Sequence, residues 1–463
     1  MTVADRIDSA VADLRLAPLR IEPPTSLAER MERRSIPGVG LAVVAEDRIE
    51  WAGGFGVRSA ESSEPVEADT MFQAGSISKP VAALCALRLV ADGTLELDED
   101  VNERLRSWRI PAAEAWSPRV TLRALLSHTG GLTVHGFPGY PRSVRPPSLI
   151  DVLDGRGNTA AVRVRSVPGL QFSYSGGGYC VLQQLLIDVT GEPFPELARA
   201  LVLEPLGMRD STYEQPLPEA RRAQEASGHR TAGRPVGGGW HVYPEMAAAG
   251  LWTTPSDLAR VVLAIQQAHQ GAADAFLPNA LAEELLAPQA TNVPMGLGVL
   301  VEGEQSGLRF RHGGDDQGFV AALVGYAALG VGAVVMTNSD DGVSLIEPLL
   351  AALARAQAWP GHPGGVEPRL RSPTAAEIEA CAGTYQAKDG YRFQLQRLDT
   401  ELALLAPGQQ PIRVAPASAT EWHARALLAT VHVTLGADGR AASVRIEQDV
   451  EYAHDVEGAR LDS

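Results

Sequence analysis

Residues 38–56 and 308–336 both have the pattern of β-strands, and most of the chain between them is helical or irregular. In the first block Val39, Leu41 and Val43 alternate with smaller residues, and a turn at 46–48 leads to a second strand with Ile49 and Trp51, which predicts a hairpin. The second block has strand-like runs at 319–324 and 333–336, followed by a helical stretch at 343–358. Strands at both ends of a helical insertion predict one α+β domain with an antiparallel sheet, assembled from distant parts of the chain.

The composition indicates a globular protein that avoids nucleic acid and membranes. The chain has 463 residues, of which 45% are hydrophobic and 21% charged, enough for one large domain and a small one. The formal net charge is -16, and no dense stripe of arginines stands out. Nucleic acid and anionic membranes are therefore poor candidate partners. No apolar run approaches the roughly 18 residues that a membrane-spanning helix needs.

The N-terminus and the cysteines favour a cytoplasmic location. Residues 1–8 have the pattern of a short amphipathic helix and lack the apolar core of a secretion signal. The three cysteines, Cys85, Cys180 and Cys381, are odd in number and lie in apolar surroundings. We expect buried free thiols, which fit a reducing compartment. The oligomeric state does not follow from these features.

Changes in composition predict the domain limits. A catalytic domain is expected at 1–360, a linker rich in proline and glycine at 361–374, and a small β domain at 375–463. Short strands at 391–395, 402–405, 431–435 and 444–447 favour an antiparallel barrel or sandwich for this last domain. Residues 133–170 lack periodicity, and a loop of that length is usually functional or disordered.

The first chemical signal is a lysine in a chain that almost lacks lysine. Of the 40 basic residues only Lys79 and Lys388 are lysines, and Lys79 follows Ser76 by three positions. Lysine can give up its proton when it is desolvated, whereas arginine stays charged, so of these two residue types only lysine can serve as a base. The pair is therefore a candidate for nucleophile and base.

Local sequence predicts how this pair is held. Pro80 is tolerated only in the first turn of a helix, so the apolar helix over 81–90 must begin close to Ser76 and end near Asp92 and Gly93. Residues three apart share a helix face, which brings the amine of Lys79 towards the hydroxyl of Ser76. The positive end of the helix dipole would also favour an alkoxide there. The simpler alternative is a serine N-cap followed by a surface lysine.

Three further segments could contribute to the same site. Tyr174 precedes the glycines of 176–178, which are expected to form a turn that presents its phenol to a cleft. His312, Gly313 and Gly314 precede a predicted strand, and glycine lets the backbone approach a ligand closely. Residues 125–132 form a compact turn at the end of a helix.

With these motifs in order, the chain resembles the serine β-lactamase and penicillin-binding-protein-like superfamily. The resemblance covers residues 25–357 and is greatest to the class-C-like branch of esterases, D-aminopeptidases and peptide cyclases. It is carried by Ser76-Ile77-Ser78-Lys79, Tyr174-Ser175-Gly176 and His312-Gly313-Gly314, with 125–132 and 252–259 in support. The tail after residue 375 resembles the lipocalin-like domain that often follows this catalytic domain.

The resemblance implies a role for each motif. Ser76 would be the nucleophile that forms an acyl-enzyme, and Lys79 and Tyr174 would move its proton. The backbone amides of Ser76 and Asp315 would form the oxyanion hole. Gly176 and the segment His312-Gly313-Gly314 would contact the substrate, and a direct proton-transfer role for His312 is less favoured than a place in the pocket wall.

Two positions depart from the usual motifs of this superfamily. The second motif usually ends in asparagine, where this chain has Gly176, and the third often carries a hydroxyl where this chain has Gly313. Both side chains would help to hold a substrate. Their loss weakens the case for a β-lactamase or a D-Ala-D-Ala carboxypeptidase and leaves the chemistry of Ser76, Lys79 and Tyr174 untouched.

Other polar residues are expected to have structural roles. His128 should satisfy backbone groups at its turn, and packing is the favoured role for a loop cluster that comprises Trp240, His241, Tyr243 and Glu245. The histidines lack metal-binding spacing, so neither a metal nor another cofactor is expected. A Gly-x-Ser-x-Gly elbow is also absent, which disfavours an α/β-hydrolase triad.

The sequence thus favours a serine hydrolase that acts on a small ester or a short peptide with a D-residue. A peptide cyclase or acyltransferase, in which an amine releases the acyl group, would use the same residues. A binding protein that has kept the fold and lost turnover is the third possibility. A small molecule or a peptide is the expected partner in each case.

Overall fold

The computed structural model describes residues 3–12, 26–112, 116–290, 292–360, 370–387, 390–407, 411–424, 429–448 and 456–461. The chain divides into two compact units. The larger is formed mainly by Ala28–Ile346, and the smaller by Glu347–Ser463 together with Arg6–Leu27. Most of the predicted linker, residues 361–369, lies outside the described residues, and the three predicted domain limits stay a prediction.

A six-stranded antiparallel sheet forms the frame of the larger unit. Its strands are β1 (Gly38–Ala45), β2 (Arg48–Gly56), β9 (Leu300–Glu302), β10 (Arg309–Asp316), β11 (Phe319–Tyr326) and β12 (Val331–Thr337). They lie in the order β2-β1-β12-β11-β10-β9. Short two-residue strands pair elsewhere in this unit: β3 (Phe72–Gln73) with β8 (Trp252–Thr253), β4 (Tyr140–Pro141) with β7 (His241–Val242), and β5 (His229–Arg230) with β6 (Arg234–Pro235).

The sheet confirms the predicted assembly from distant parts of the chain. The hairpin β1–β2 turns at Glu46 and Asp47, and β1 then pairs with β12, placing Val39 opposite Thr337. All eight residues of β1 are buried, which fits its nearly continuous apolar sequence. The helical insertion therefore lies between two halves of one sheet, as the α+β prediction requires.

Twelve α-helices accompany the strands in the described residues. They are α1 (Val3–Ala12), α2 (Leu27–Arg34), α3 (Ser78–Ala91), α4 (Leu122–Leu126), α5 (Leu149–Leu153), α6 (Gly176–Thr190), α7 (Phe194–Ala198), α8 (Met246–Ala249), α9 (Pro255–His269), α10 (Asn279–Leu286), α11 (Val343–Gln357) and α12 (Ala375–Cys381). The two-unit division falls within α11. None of the helices in the described part of the chain is long and apolar enough to span a membrane.

Capping residues explain where the longer helices begin and end. The hydroxyl of Thr254 accepts a hydrogen bond from the amide of Asp257, and Pro255 is the first residue of α9, as predicted. At the C-terminal end of α6, Gly191 adopts a left-handed conformation with φ 78°, which glycine allows at little cost. Helix α9 packs on β1, β11 and β12, while α3, α4, α6 and α8 pack among themselves.

The smaller unit contains a closed eight-stranded barrel in which each strand pairs with its neighbours in sequence and the last pairs with the first. This is an up-and-down barrel, the topology of lipocalins. Apolar side chains that include Tyr385, Phe393 and Trp422 fill its core. The strands are β13 (Gly383–Ala387), β14 (Arg392–Leu398), β15 (Glu401–Leu405), β16 (Ile412–Pro416), β17 (Glu421–Ala424), β18 (Ala429–Leu435), β19 (Ala441–Gln448) and β20 (Val456–Arg460).

Candidate active site

A short 3₁₀ turn, Gly75–Ile77, carries Ser76 and leads directly into α3. Pro80 lies in the first turn of α3, where a missing amide hydrogen costs nothing. The hydroxyl of Ser78 donates to the carbonyl of Gly75 at 2.6 Å and accepts from the amide of Leu251 at 3.0 Å. These bonds fix the turn, so the helix start that the sequence predicted near Ser76 is confirmed.

Lys79 lies beneath the serine and is almost fully buried, with 2% of its surface exposed. Its Nζ donates to the Oγ of Ser76 at 2.8 Å and to the carbonyl oxygen of Ala248 at 2.8 Å. The alternative of a surface lysine after a capping serine is therefore wrong. The side chain of Ser76 is only half-buried, so its hydroxyl can meet a substrate from one side and the amine from the other.

Tyr174 lies against the same amine. Lys79 Nζ is 4.9 Å from the centroid of the Tyr174 ring. Gly176–Thr190 is helical from its first residue, with Ser175 as N-cap, so the glycines form the first turn of α6 and the expected non-helical turn is wrong in detail. Tyr174 stands just before this helix, close to the Ser76–Lys79 pair.

His128 forms hydrogen bonds to the residues on either side of Tyr174 in the chain. Its carbonyl oxygen accepts from the amide of Ser173 at 2.8 Å, and its Nδ1 accepts from the amide of Ser175 at 3.1 Å. Its ring lies 4.1 Å from the Tyr174 ring, centroid to centroid. Because Nδ1 accepts, the neutral ring carries its proton on Nε2. Burial, followed by the charge of Lys79, lowers the pKa of His128 well below its usual value, which favours that neutral form.

Strand β10 forms the opposite wall of the site and approaches the serine turn at two glycines. A Cβ atom on Gly314 would lie 1.9 Å from the carbonyl oxygen of Ala74, and one on Gly75 would lie 2.4 Å from the amide nitrogen of Asp315. Gly75 also has φ 52°, a conformation that other residues rarely adopt. Because Gly75 and Gly314 have no side chain, the amide of Asp315 can lie beside the turn that carries Ser76.

His312 is buried in this wall, and its ring centroid lies 6.4 Å from that of Tyr174. Its Nδ1 is 2.6 Å from the carbonyl oxygen of Gly313. A carbonyl only accepts, so Nδ1 carries a proton. The structure thus brings together Ser76, Lys79, Tyr174, His312 and the backbone at Asp315, and their catalytic roles stay predictions.

Gly176 lies under a neighbouring segment. A Cβ atom there would lie 2.9 Å from the ring of Phe137 and 3.0 Å from the carbonyl oxygen of His135. The amide of Gly176 donates to that same oxygen at 3.0 Å. The space that an asparagine side chain would need is therefore taken by residues 135–137, which gives a physical reason for the departure from the usual motif.

The sequence reasoning missed two side chains near the site, His135 and Asp316. His135 is exposed, and its ring lies 4.9 Å from the Tyr174 ring. Asp316 is 3% exposed, and burial raises its pKa well above the usual value, although Lys79 opposes that shift. His135 lies in the aperiodic loop and Asp316 ends a strand, so neither position carries a local signal.

Glu245 is a further buried group, and its backbone starts the segment that binds Lys79. Its carbonyl oxygen accepts from the amides of Ala248 and Ala249, which starts the short helix α8 whose Ala248 binds Lys79. Its side chain is fully buried, and neither carboxyl oxygen has a hydrogen-bond partner among the described residues. Burial raises the pKa of Glu245 to about 7. Packing alone, the favoured prediction, does not explain a carboxyl group in such a place.

Comparison with known proteins decides the family. The family model described as Beta-lactamase matches residues 25–357, which is most of the chain.

The chain belongs to the Beta-lactamase family.

The proteins similar to this chain include an esterase and a penicillin-binding protein. Esterase EstB of Burkholderia gladioli is 29% identical over 318 residues, which cover 63% of this chain and 79% of the esterase. Penicillin-binding protein 4* of Bacillus subtilis (strain 168) is 23% identical over 451 residues, 91% of this chain and 95% of that protein. The chain is thus a serine hydrolase of the β-lactamase-like superfamily, of esterase or peptidase type.

A solved structure extends the likeness of fold to the whole chain. The crystal structure of SurE with D-Leu has a TM-score of 0.59 and 23% identity, and the match covers 99% of this chain and 100% of SurE. At this identity the likeness shows the fold alone.

Proposed function

We propose that this protein cleaves an ester or amide through an acyl-enzyme on Ser76, with Lys79 and Tyr174 moving the proton. The observation that carries the proposal is the hydrogen bond of 2.8 Å between Lys79 Nζ and Ser76 Oγ at a nearly buried amine. Burial disfavours the ammonium form of a lysine, and a base must lie within hydrogen-bond reach of the proton that it removes. Lys79 is nearly buried, and its amine lies within this reach of the Ser76 hydroxyl.

The proposed reaction has two steps. As Ser76 Oγ bonds to the substrate carbonyl carbon, its proton passes to the neutral amine of Lys79. The bond to the leaving group then breaks, Tyr174 gives its phenolic proton to the leaving atom, and the Lys79 ammonium restores that proton. Water attacks the acyl-enzyme in the second step, losing a proton to the same amine, and Ser76 recovers its hydroxyl as the acid leaves.

The charge that develops on the carbonyl oxygen needs donors close to Ser76. We assign this role to the amides of Ser76 and Asp315. The close approach of Gly75 to the Asp315 amide nitrogen supports the assignment. Backbone amides in a fixed turn and strand need no rearrangement as the charge forms.

The substrate is proposed to be a small ester or a short peptide with a D-residue. One curated relative is an esterase, and a structure of similar fold holds D-Leu. Gly176 and Gly313 lack the side chains that would grip a substrate amide or carboxylate, which argues against β-lactam antibiotics as the main substrate. The cytoplasmic location likewise stays a prediction.

The first test uses a fluorophosphonate and intact-mass measurement. We expect one adduct on the wild-type protein and on Ser306→Ala, an exposed serine, and none on Ser76→Ala. Hydrolysis of p-nitrophenyl esters should fall by about 10²-fold to 10⁴-fold in Lys79→Arg, because the charge stays while the basicity is lost. Lys388→Arg, at the chain's other lysine, serves as the control.

A fully active Lys79→Arg enzyme, or an adduct on Ser76→Ala, would contradict the mechanism. Product mass decides the acceptor. Offered an activated thioester of a short peptide, the protein should yield the linear acid, and a product lighter by one water would instead be the cyclic peptide of an acyltransferase.

A further inference from the structure

Asp315 places a carboxylate on the same residue whose amide borders Ser76. Along β10 the buried residues alternate, and His312, Gly314 and Asp316 face the serine turn and the lysine. Alternation in a strand puts Asp315 on the opposite face, together with Gly313. Asp315 is exposed, so its carboxylate can meet a ligand that lies along this part of the strand.

The edge of β10 is open at this point. Strand β9 pairs with β10 only at Arg309, Phe310 and Arg311, and within the described residues no strand continues that pairing over 312–316. The serine turn lies against this part of β10, since a Cβ atom on Gly75 would lie only 2.4 Å from the Asp315 amide nitrogen. A carbonyl oxygen that accepts a hydrogen bond from the Asp315 amide would therefore lie close to the residue that carries this carboxylate.

Near Asp315, two carboxylates, its own and that of Asp340, accompany one guanidinium, that of Arg230. Arg230 binds Asp340, with 2.9 Å between Nε and Oδ2, and the other oxygen of Asp340 accepts from the amide of Gly318 at 2.7 Å. The guanidinium of Arg230 is thus already engaged by one carboxylate. Desolvation by the surrounding protein and then the charge of Asp340 raise the pKa of Asp315 to about 6, while Arg230 opposes that shift, so the carboxyl group is mostly ionised at pH 7.

A carboxylate next to an oxyanion hole works against the reaction of an ordinary neutral substrate. Negative charge develops on the carbonyl oxygen in the transition state, and a fixed negative charge a few ångströms away opposes it. A positive charge on the substrate would offset this repulsion and would also bind Asp315 directly. Within 312–316 only the side chain of His312 could attract a substrate carboxylate, and only when protonated, because the other residues are glycine and aspartate.

We propose that Asp315 selects acyl donors that carry a protonated amine close to the scissile carbonyl, such as esters and amides of amino acids and of peptides with a free amino group. The inference rests on the proposed acyl-enzyme function and names its substrate class. Donors with a carboxylate at that position are disfavoured by the same charge.

The test compares two substrates that differ only in this charge. The p-nitrophenyl ester of D-alanine carries an ammonium group where p-nitrophenyl isobutyrate carries a methyl group of similar size. At pH 7 a peptide-like α-amine is mostly protonated. The measured quantity is the ratio of the two kcat/KM values divided by the ratio of the two uncatalysed hydrolysis rates, because an α-ammonium group by itself makes an ester more reactive. This corrected ratio also cancels any general loss of activity that a variant suffers.

We expect the wild-type ratio to favour the amine by about ten-fold, the effect of a charge pair a few ångströms apart in a partly solvated site. Asp315→Asn should bring the ratio close to one, and Asp315→Glu should keep most of it. Glu283→Gln, which removes one exposed carboxylate from α10, should leave the ratio unchanged.

Salt dependence of the wild-type ratio keeps the test valid even if a variant fails to fold. Raising the salt from about 0.05 M to about 0.5 M should lower the ratio, because salt screens an exposed charge pair. A wild-type ratio near one, or an Asp315→Asn ratio equal to that of the wild type, overturns the inference while leaving the acyl-enzyme intact. Absence of hydrolysis of both esters, with no fluorophosphonate adduct on Ser76, overturns the proposed function and this inference with it.

Discussion

Replacing Gly314 by alanine tests whether the close approach of β10 to the serine turn supports catalysis. The new Cβ atom would lie 1.9 Å from the carbonyl oxygen of Ala74, whereas real Cβ atoms essentially never come within 3.0 Å of a heavy atom. The neighbour is backbone and cannot rotate away, so strand and turn must separate by about 1 Å in a core packed to crystal-like density.

A shift of that size should displace the proposed oxyanion donor without unfolding the protein. The amide of Asp315 would leave the range of about 2.7–3.1 Å that stabilises an oxyanion, and loss of one donor lowers kcat by about 10²-fold to 10³-fold. Overpacking costs about 1–3 kcal/mol, and a stability of about 5–15 kcal/mol can absorb that loss. The protein should therefore stay folded while its kcat falls.

The assay is steady-state hydrolysis of a p-nitrophenyl ester, with thermal unfolding followed by circular dichroism. Gly307→Ala is the matched control, because a Cβ atom there meets no heavy atom within 4 Å. We expect the control to behave as the wild type in both measurements. A folded Gly314→Ala protein with normal kcat would refute the reasoning, since it would show that the separation of strand and turn does not govern the rate.

Two other substitutions probe the surroundings of the site. For Glu245 the folded-state pKa of about 7 lies above the ordinary value of 4.5, so the unfolded chain loses its proton first and stability falls as pH rises from 4.5 to 7. Glu245→Gln should therefore stabilise the protein by about 3 kcal/mol at pH 8 and have little effect at pH 4.5. Chemical denaturation at the two pH values measures this, and an equal gain in unfolding free energy at both would contradict it. Gly176→Asn should lower both the melting temperature and kcat/KM, because the new side chain would push away Phe137 and the backbone at His135. Adding Phe137→Ala should restore only part of the loss, because the clash with the backbone oxygen of His135 remains. Complete restoration would show that the backbone is not the obstacle.

The sequence predicted the parts of the fold whose signals are local. The hairpin at 38–56, the helix after Pro80 and the helix capped by Thr254 all appear where turn and capping residues placed them. The three cysteines are buried free thiols, as expected from their apolar neighbours. Each of these predictions depended on residues within one or two turns of each other.

Elements that depend on distant partners were harder to predict. Strands β13, β16, β17 and β20 were missed, since short barrel strands gain most of their stability from neighbours in the closed sheet. The loop over 133–170 also contains α5, a five-residue helix whose capping box at Ser148 and Asp151 was overlooked.

The candidate site divides in the same way. The pairing of Ser76 with Lys79 followed from helical spacing and was visible in the sequence. The positions of His135, Glu245 and Asp316 around that pair depend on how a loop, a short helix and a strand end meet in space, and single-sequence patterns carry no such information. His128 binds backbone, as predicted, but the amide that its ring accepts from belongs to Ser175 and not to its own turn, and its stacking on Tyr174 could not be foreseen.

The pairing of β1 with β12 also sets when during synthesis the site can exist. The amide of Gly38 donates to the side chain of Asn338, 300 positions further along the chain. At about 5–20 residues per second, a ribosome needs about 15 to 60 s to add that length. During most of that interval the early hairpin and the serine helix lack the strands that complete the sheet, so a nascent chain carries Ser76 and Lys79 long before it carries Asp315, the proposed oxyanion donor.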